Sequence, residues 1–156
     1  MKTILFVCTG NICRSPMAEG LLKKKLAEEG ITAVRVISAG TSAYQGNAST
    51  PEAVRAALEK GIDISAHRAH LLSRALIEEA DLILTMNEAH KWEVVRLVPR
   101  ALEKTFVLTE FSNNRWKREG IPDPYGGFLE DYRRCLSEIE GELLPVLNWA
   151  REHGNH

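Results

Sequence analysis

Lys2-Thr3-Ile4-Leu5-Phe6-Val7 runs straight into Cys8-Thr9-Gly10-Asn11-Ile12-Cys13-Arg14-Ser15, and Pro16-Met17-Ala18-Glu19 follows. The first segment is a continuous apolar and β-branched run, the pattern of a strand buried on both faces. From Pro16 to Glu29 the period becomes helical. Ala18, Leu21, Leu22 and Leu26 share one stripe, and Lys23, Lys24, Glu28 and Glu29 cover the rest. Ser15 before Pro16 fits an N-cap and a first helical position, and Gly30 fits the C-terminal stop. A buried strand, a tight loop and an amphipathic helix are the opening unit of an α/β sheet.

The pattern continues along the chain. Val34–Ser38 reads as a second strand, and Thr50-Pro51 starts a helix that runs to Lys60 before Gly61. Ser73 begins a short helix to Glu79. Asp81–Met86 is a third buried strand, Asn87 caps a helix from Glu88 to about Leu97, and Thr105–Leu108 is a fourth strand. The segment from Phe111 to Gly127 is long for a connection, which points to function. Phe128 to Ala150 has the clearest helical period. It reads as the last helix, which Pro145 interrupts, although Gly141 four residues earlier would ease the clash of the ring with the carbonyl. Alternating strands and helices imply right-handed crossovers and a parallel sheet covered on both faces, a three-layer α/β/α fold. Ligands of such sheets bind beyond the carboxyl ends of the strands, where Cys8 is placed.

The 156 residues suit a single domain, 1–156, with 44% hydrophobic and 26% charged residues arguing against disorder. A net charge of −1 gives no basic field for nucleic acid or an anionic membrane, and no apolar run is long enough to span a bilayer. With no signal-peptide pattern at its start, the chain is expected to be cytoplasmic. Its three cysteines, Cys8, Cys13 and Cys135, form neither a disulfide framework nor a zinc-site spacing, and the histidines show no ligand spacing. No metal is expected.

The loop from Cys8 to Ser15 has the parts needed to hold one phosphate. Gly10 permits positive φ and Asn11 tolerates it best among other residues, so successive N–H groups can turn inward as an anion nest. The following helix directs its positive end into the same space, a field that also favours a thiolate. Arg14 offers a planar fork for two phosphate oxygens. The Ser15 hydroxyl is placed to stabilise the sulfur. Taken singly, each residue has a bland alternative: buried packing cysteines, a surface arginine, an ordinary strand-to-helix turn. The ordered set at the ligand edge of a sheet does not. A nucleotide-binding P-loop fails, because Cys13 rather than Gly-Lys stands at the required position. Asp123, held between Pro122 and Pro124, reads equally as a turn aspartate or as a carboxylate presented over the pocket.

Cys8 to Glu19 resembles the signature of the low-molecular-weight protein tyrosine phosphatases. Three further segments match in order: Ser38-Ala39-Gly40-Thr41-Ser42, Gly61-Ile62-Asp63-Ile64-Ser65-Ala66-His67 and Asp123-Pro124-Tyr125. The resemblance implies a four-stranded parallel sheet of order 2-1-3-4 and cysteinyl-phosphate chemistry without a cofactor. It implies Cys8 as nucleophile, Arg14 as the phosphate-binding and transition-state-stabilising cation, Asp123 as general acid and base, and Ser15 as thiolate stabiliser. Substrate would be bound by Thr9, Gly10, Asn11, Ile12, Cys13, Tyr44 and Tyr125, with Ser38 and His67 in support. Tyr44 reads equally as a loop anchor and as a pocket wall, and His67 equally as a structural histidine. The implied partners are phosphorylated proteins, and a monomer or weak homodimer is expected.

The sequence departs from the family pattern at His70, where arginine is frequent, and at Asn87, where an aspartate often partners the bracing histidine. Only Tyr125 remains of the two tyrosines that often follow the Asp-Pro pair. The stretch Asn114–Glu119 reads as a solvated loop face. A protein arginine phosphatase of the same family is the alternative function, although that branch typically has threonine in place of Ile12 and phenylalanine in place of Tyr125. An arsenate reductase would need a further cysteine pair, and a non-catalytic phosphate-binding module would be expected to lack Cys8, Arg14 or Asp123. Cys13 lies close enough in sequence to form a reversible, protective disulfide with Cys8.

Overall fold

The computed structural model describes residues 1–114 and 119–154. Four strands, β1 (Lys2–Cys8), β2 (Val34–Gly40), β3 (Leu82–Thr85) and β4 (Thr105–Val107), form one parallel sheet of order β2-β1-β3-β4. Their registers bring Cys8 beside Gly40, Val7 beside Thr85, and Thr85 beside Val107, so all four carboxyl ends share one edge.

Alternation along β1 builds two cores. Ile4, Phe6 and Cys8 face a core shared with α1 (Arg14–Glu28), α2 (Pro51–Glu59), α6 (Leu129–Gly141) and α7 (Leu144–Gly154). Leu5 and Val7 face the opposite core, with α3 (Arg74–Glu79), α4 (Glu88–Leu97) and a 3-10 turn over Pro99–Lys104. The three-layer expectation is met. After β1 the chain leaves on one face through α1, and after β3 on the other through α4. The neighbouring strands therefore part at their carboxyl ends and open a crevice.

Thr50, Ser73 and Asn87 cap their helices as expected, accepting from the N–H groups of Ala53, Leu76 and His90. The first helix differs: it begins at Arg14 rather than Pro16, and no side chain caps it. Ser15 is not the cap because its hydroxyl is turned inward, 2.8 Å from both Cys8 Sγ and Asn11 Nδ2. Strand β4 ends at Val107, and Leu108 already opens the short helix α5 (Leu108–Phe111). Of the stretch Asn114–Glu119, residues 115–118 lie outside the described residues.

The expected last helix is two. Pro145, second in α7, has no N–H to give Gly141, so the ladder breaks at Glu142 and Leu143 despite the glycine. The break has a use. Glu142 is buried, and its carboxylate accepts from Ser112 Oγ and, at 2.6 Å, from Asn114 Nδ2. It thereby fastens the start of the long loop. We expect Glu142→Ala to cost about 1–3 kcal/mol in urea unfolding, the penalty for stripping buried polar partners. The exposed Glu130→Ala should change stability by less than about 0.5 kcal/mol.

Candidate active site

Cys8 Sγ lies at the carboxyl end of β1, buried, 2.8 Å from Ser15 Oγ and 3.3 Å from the Asn11 N–H, which donates to it. Asn11 holds the loop's turn in the left-handed region at φ 55°, as its residue type suggested. Gly10 does not share that conformation, contrary to the sequence expectation. It lies against Ile12, whose Cγ1 would sit 3.4 Å from a Cβ placed there.

Asn11 is fully buried and its amide is fully used. Nδ2 donates to Ser15 Oγ and to Ser38 Oγ at 2.9 Å, and Oδ1 accepts from the His70 N–H at 2.9 Å. His67 Nε2 lies 3.1 Å from the Asn11 carbonyl and 3.2 Å from Oδ1. Ser38 Oγ donates in turn to Glu19 Oε1 at 2.6 Å. Burial holds the His67 imidazole below the usual histidine range. Asn87 takes no part in bracing His67; its carboxamide oxygen accepts from the His90 N–H. Gly40 lets β2 approach closely, since a Cβ there would sit 2.5 Å from the Thr9 carbonyl oxygen.

Arg14 is 3% exposed. Its Nη1 donates to the Ile121 carbonyl at 2.9 Å, and its Nη2 lies 3.4 Å from Thr9 Oγ1 and 3.6 Å from Asp123 Oδ2. Asp123 is half exposed, and its Oδ1 accepts from the Tyr125 N–H at 3.1 Å, an Asx turn that aims the carboxylate. The root of this loop is pinned to the sheet, with the Ile121 N–H donating to the Met86 carbonyl at 2.8 Å. Gly120 sits at φ +87°, and a Cβ there would meet that carbonyl at 2.0 Å. Only glycine fits.

Cys8, Thr9, Ile12, Arg14, Asp123 and both tyrosines line one cavity of about 360 Å³, with Gly10 and Cys13. Tyr44 and Tyr125 stand mostly exposed at its walls. The structure thus brings together every sequence-predicted site residue, with Asn11, Ser15, Ser38 and His67 behind the wall. Cys13 Sγ is a free thiol near Thr50 Oγ1 and the Tyr132 hydroxyl, at 3.6 and 3.7 Å, and burial pushes its pKa up.

A sulfur nucleophile at a strand end, a fixed guanidinium and a carboxylate across one cavity are the parts of phosphoryl transfer to cysteine. The family model described as low molecular weight phosphotyrosine protein phosphatase matches residues 3–152. The chain belongs to this family. It is 41% identical over 144 residues to a protein-arginine-phosphatase of Bacillus subtilis (strain 168), covering 92% of this chain and 93% of that protein. It is 42% identical over 140 residues to a probable low molecular weight protein-tyrosine-phosphatase EpsP of Ralstonia nicotianae, covering 90% of each. A solved mutant of the YwlE arginine phosphatase, with a phosphorylated active-site serine, superposes with a TM-score of 0.89 at 36% identity, covering 97% of each chain.

Within this phosphatase fold, sequence reading missed His90, Ile121, Gly120 and Glu19. The first turn of the helix after β3 faces the ligand edge, a signal that makes His90 findable. The other three act through backbone or through partners far along the chain. His90 is buried, with Nε2 2.8 Å from Thr9 Oγ1, and burial with the nearby Arg14 charge lowers its pKa from 6.5 to about 4. An imidazole that stays neutral when folded but charges when unfolded favours unfolding once pH drops below 6.5, and this loss levels off near 4. Stability should therefore fall with pH across that window. His90→Gln should flatten the slope in urea titrations; an unchanged slope would mean that the ring is not shielded.

Proposed function

We propose that this phosphatase hydrolyses phosphotyrosine monoesters of proteins through a cysteinyl-phosphate intermediate. The observation that carries this reading is the shared cavity of Cys8, Arg14 and Asp123, with Ser15 2.8 Å from the sulfur. Cys8 Sγ attacks phosphorus in line, and the bond to the leaving oxygen breaks while Asp123 protonates that oxygen. Asp123, now a carboxylate, takes a proton from water, which attacks the phosphocysteine and returns the thiolate and inorganic phosphate. Arg14 and the uncapped first turn of α1 stabilise the equatorial oxygens in both steps. Ser15 Oγ and the Asn11 N–H stabilise the sulfur as it leaves.

A phosphorylated active-site residue in the related YwlE mutant supports an enzyme-bound phosphoryl group at this position. A thiolate mechanism needs a reducing compartment, and we place the protein in the cytoplasm on that ground.

The aromatic side chains of Tyr44 and Tyr125, which line the cavity together with Ile12, favour a flat phenyl ring over a guanidinium. The alternative, a protein arginine phosphatase, draws support from a relative of that name at 41% identity. Against a redox relay of the arsenate-reductase type, burial pushes the Cys135 thiol up to about 12, so it stays protonated.

Matched peptides carrying phosphotyrosine or phosphoarginine decide between the two main readings. We expect the higher kcat/KM on phosphotyrosine; a higher value on phosphoarginine would overturn the assignment. Asp123→Asn should lower kcat/KM, which reports the first step alone, by about 10²–10⁴ on a phenyl phosphate, the usual worth of a general acid. The loss should be much smaller on p-nitrophenyl phosphate, whose leaving group needs little protonation. Equal losses on both would remove Asp123 from the acid role.

A further inference from the structure

His90 has no place in the chemistry described so far, yet its only side-chain hydrogen bond among the described residues goes to the phosphate loop. The Asn87 cap fixes its backbone in the first turn of α4, and the ring is 4% exposed. Nε2 meets Thr9 Oγ1 at 2.8 Å, while Nδ1 is buried with no partner among the described residues. An apolar residue would fill this place with no unpaired nitrogen, so the ring's contact with Thr9 needs a reason.

Arg14 supplies it. Guanidinium can only donate, so one lone pair of Thr9 Oγ1 faces Nη2 and the other contact of that hydroxyl is to His90. Nη1 is held by the Ile121 carbonyl. Two points on a planar group set its tilt, and Thr9 is the second point. We propose that His90 is a positioning residue which locks the Thr9 hydroxyl and, through it, the plane of the Arg14 fork against the transferring phosphoryl group. A neutral ring suits the task in either tautomer, whereas an imidazolium would set a second positive charge beside Arg14. Burial and Arg14 together keep it neutral. The inference rests on the phosphatase reading above.

The test is steady-state kinetics on p-nitrophenyl phosphate, with vanadate and inorganic phosphate as competitive inhibitors. Removing a hydrogen bond that orients a charged group should lower kcat about tenfold in His90→Ala, with KM little changed, because the flattened phosphoryl group needs the fork most. Vanadate, which mimics that geometry, should weaken more than phosphate. Thr9→Val should show the same pattern, and the double variant should be no worse than either single one. His90→Gln, whose terminal amide can reach Thr9, should restore most of kcat.

Wild-type kcat and an unchanged vanadate-to-phosphate ratio in His90→Ala would overturn the proposal, as would additive losses in the double variant. If His90→Ala does not fold, Thr9→Val and His90→Gln decide: full activity in Thr9→Val, or a loss in His90→Gln as deep as in Thr9→Val, overturns it. A wild-type enzyme that neither turns over substrate nor responds to vanadate would sink the phosphatase reading itself. An active wild type with indifferent variants sinks the positioning role alone.

Discussion

The site depends on one saturated amide. Asn11 accepts a left-handed backbone, a conformation that costs energy for any residue with a Cβ. It persists because the side chain is tied on every side: to Ser15 within the loop, to Ser38 on β2, and to the His67–His70 segment beyond α2. Each tie comes from a different part of the chain, so the loop's curvature exists only when sheet and helices are assembled. That curvature turns the Asn11 N–H back onto Cys8 Sγ and keeps Ser15 from capping α1. The first turn of that helix faces the cavity as a consequence.

Electrostatics follow from the same arrangement. Arg14 is a buried permanent cation with a carbonyl, a hydroxyl and a half-exposed carboxylate around it, and among the described residues no fully buried counter-ion faces it. A buried cation whose counter-charge stands half in water draws anions toward the cavity. The neighbouring histidines are held neutral mainly by burial, and their neutrality keeps the positive charge concentrated on one planar group.

Much of this was legible in the amino-acid sequence, for physical reasons that can be named. Doubly buried strands give apolar runs, so Ile4–Val7 and Leu82–Leu84 were readable directly. Cys8, Arg14 and Ser15 span one strand end, one short loop and the first turn of α1, so their spacing in sequence keeps them close in space. Asp123 was ambiguous because its role depends on a contact with Arg14 across 109 positions, as the two residue numbers show. The last helix misled because a strong 3.6-residue period survives a break: α6 and α7 present the same apolar stripe to the same core. Gly10 misled because the turn takes its one left-handed residue at Asn11, one position later. Gly120 left no local pattern, since it acts through a carbonyl from the end of β3; His90 was signalled by its place in the first turn after β3, but its partner, a hydroxyl from β1's loop, was not.

The pinning of Ile121 ties catalytic competence to the stability of the sheet. Its N–H closes onto the strand end and its carbonyl onto Arg14, so the segment bearing Asp123 shares hydrogen bonds with the most buried part of the fold. Loops that carry catalytic groups commonly open at far lower free energy than the core beneath them. Here two hydrogen bonds couple the rim to the core. Any loosening of the sheet's carboxyl edge is thereby passed directly to the placement of Asp123.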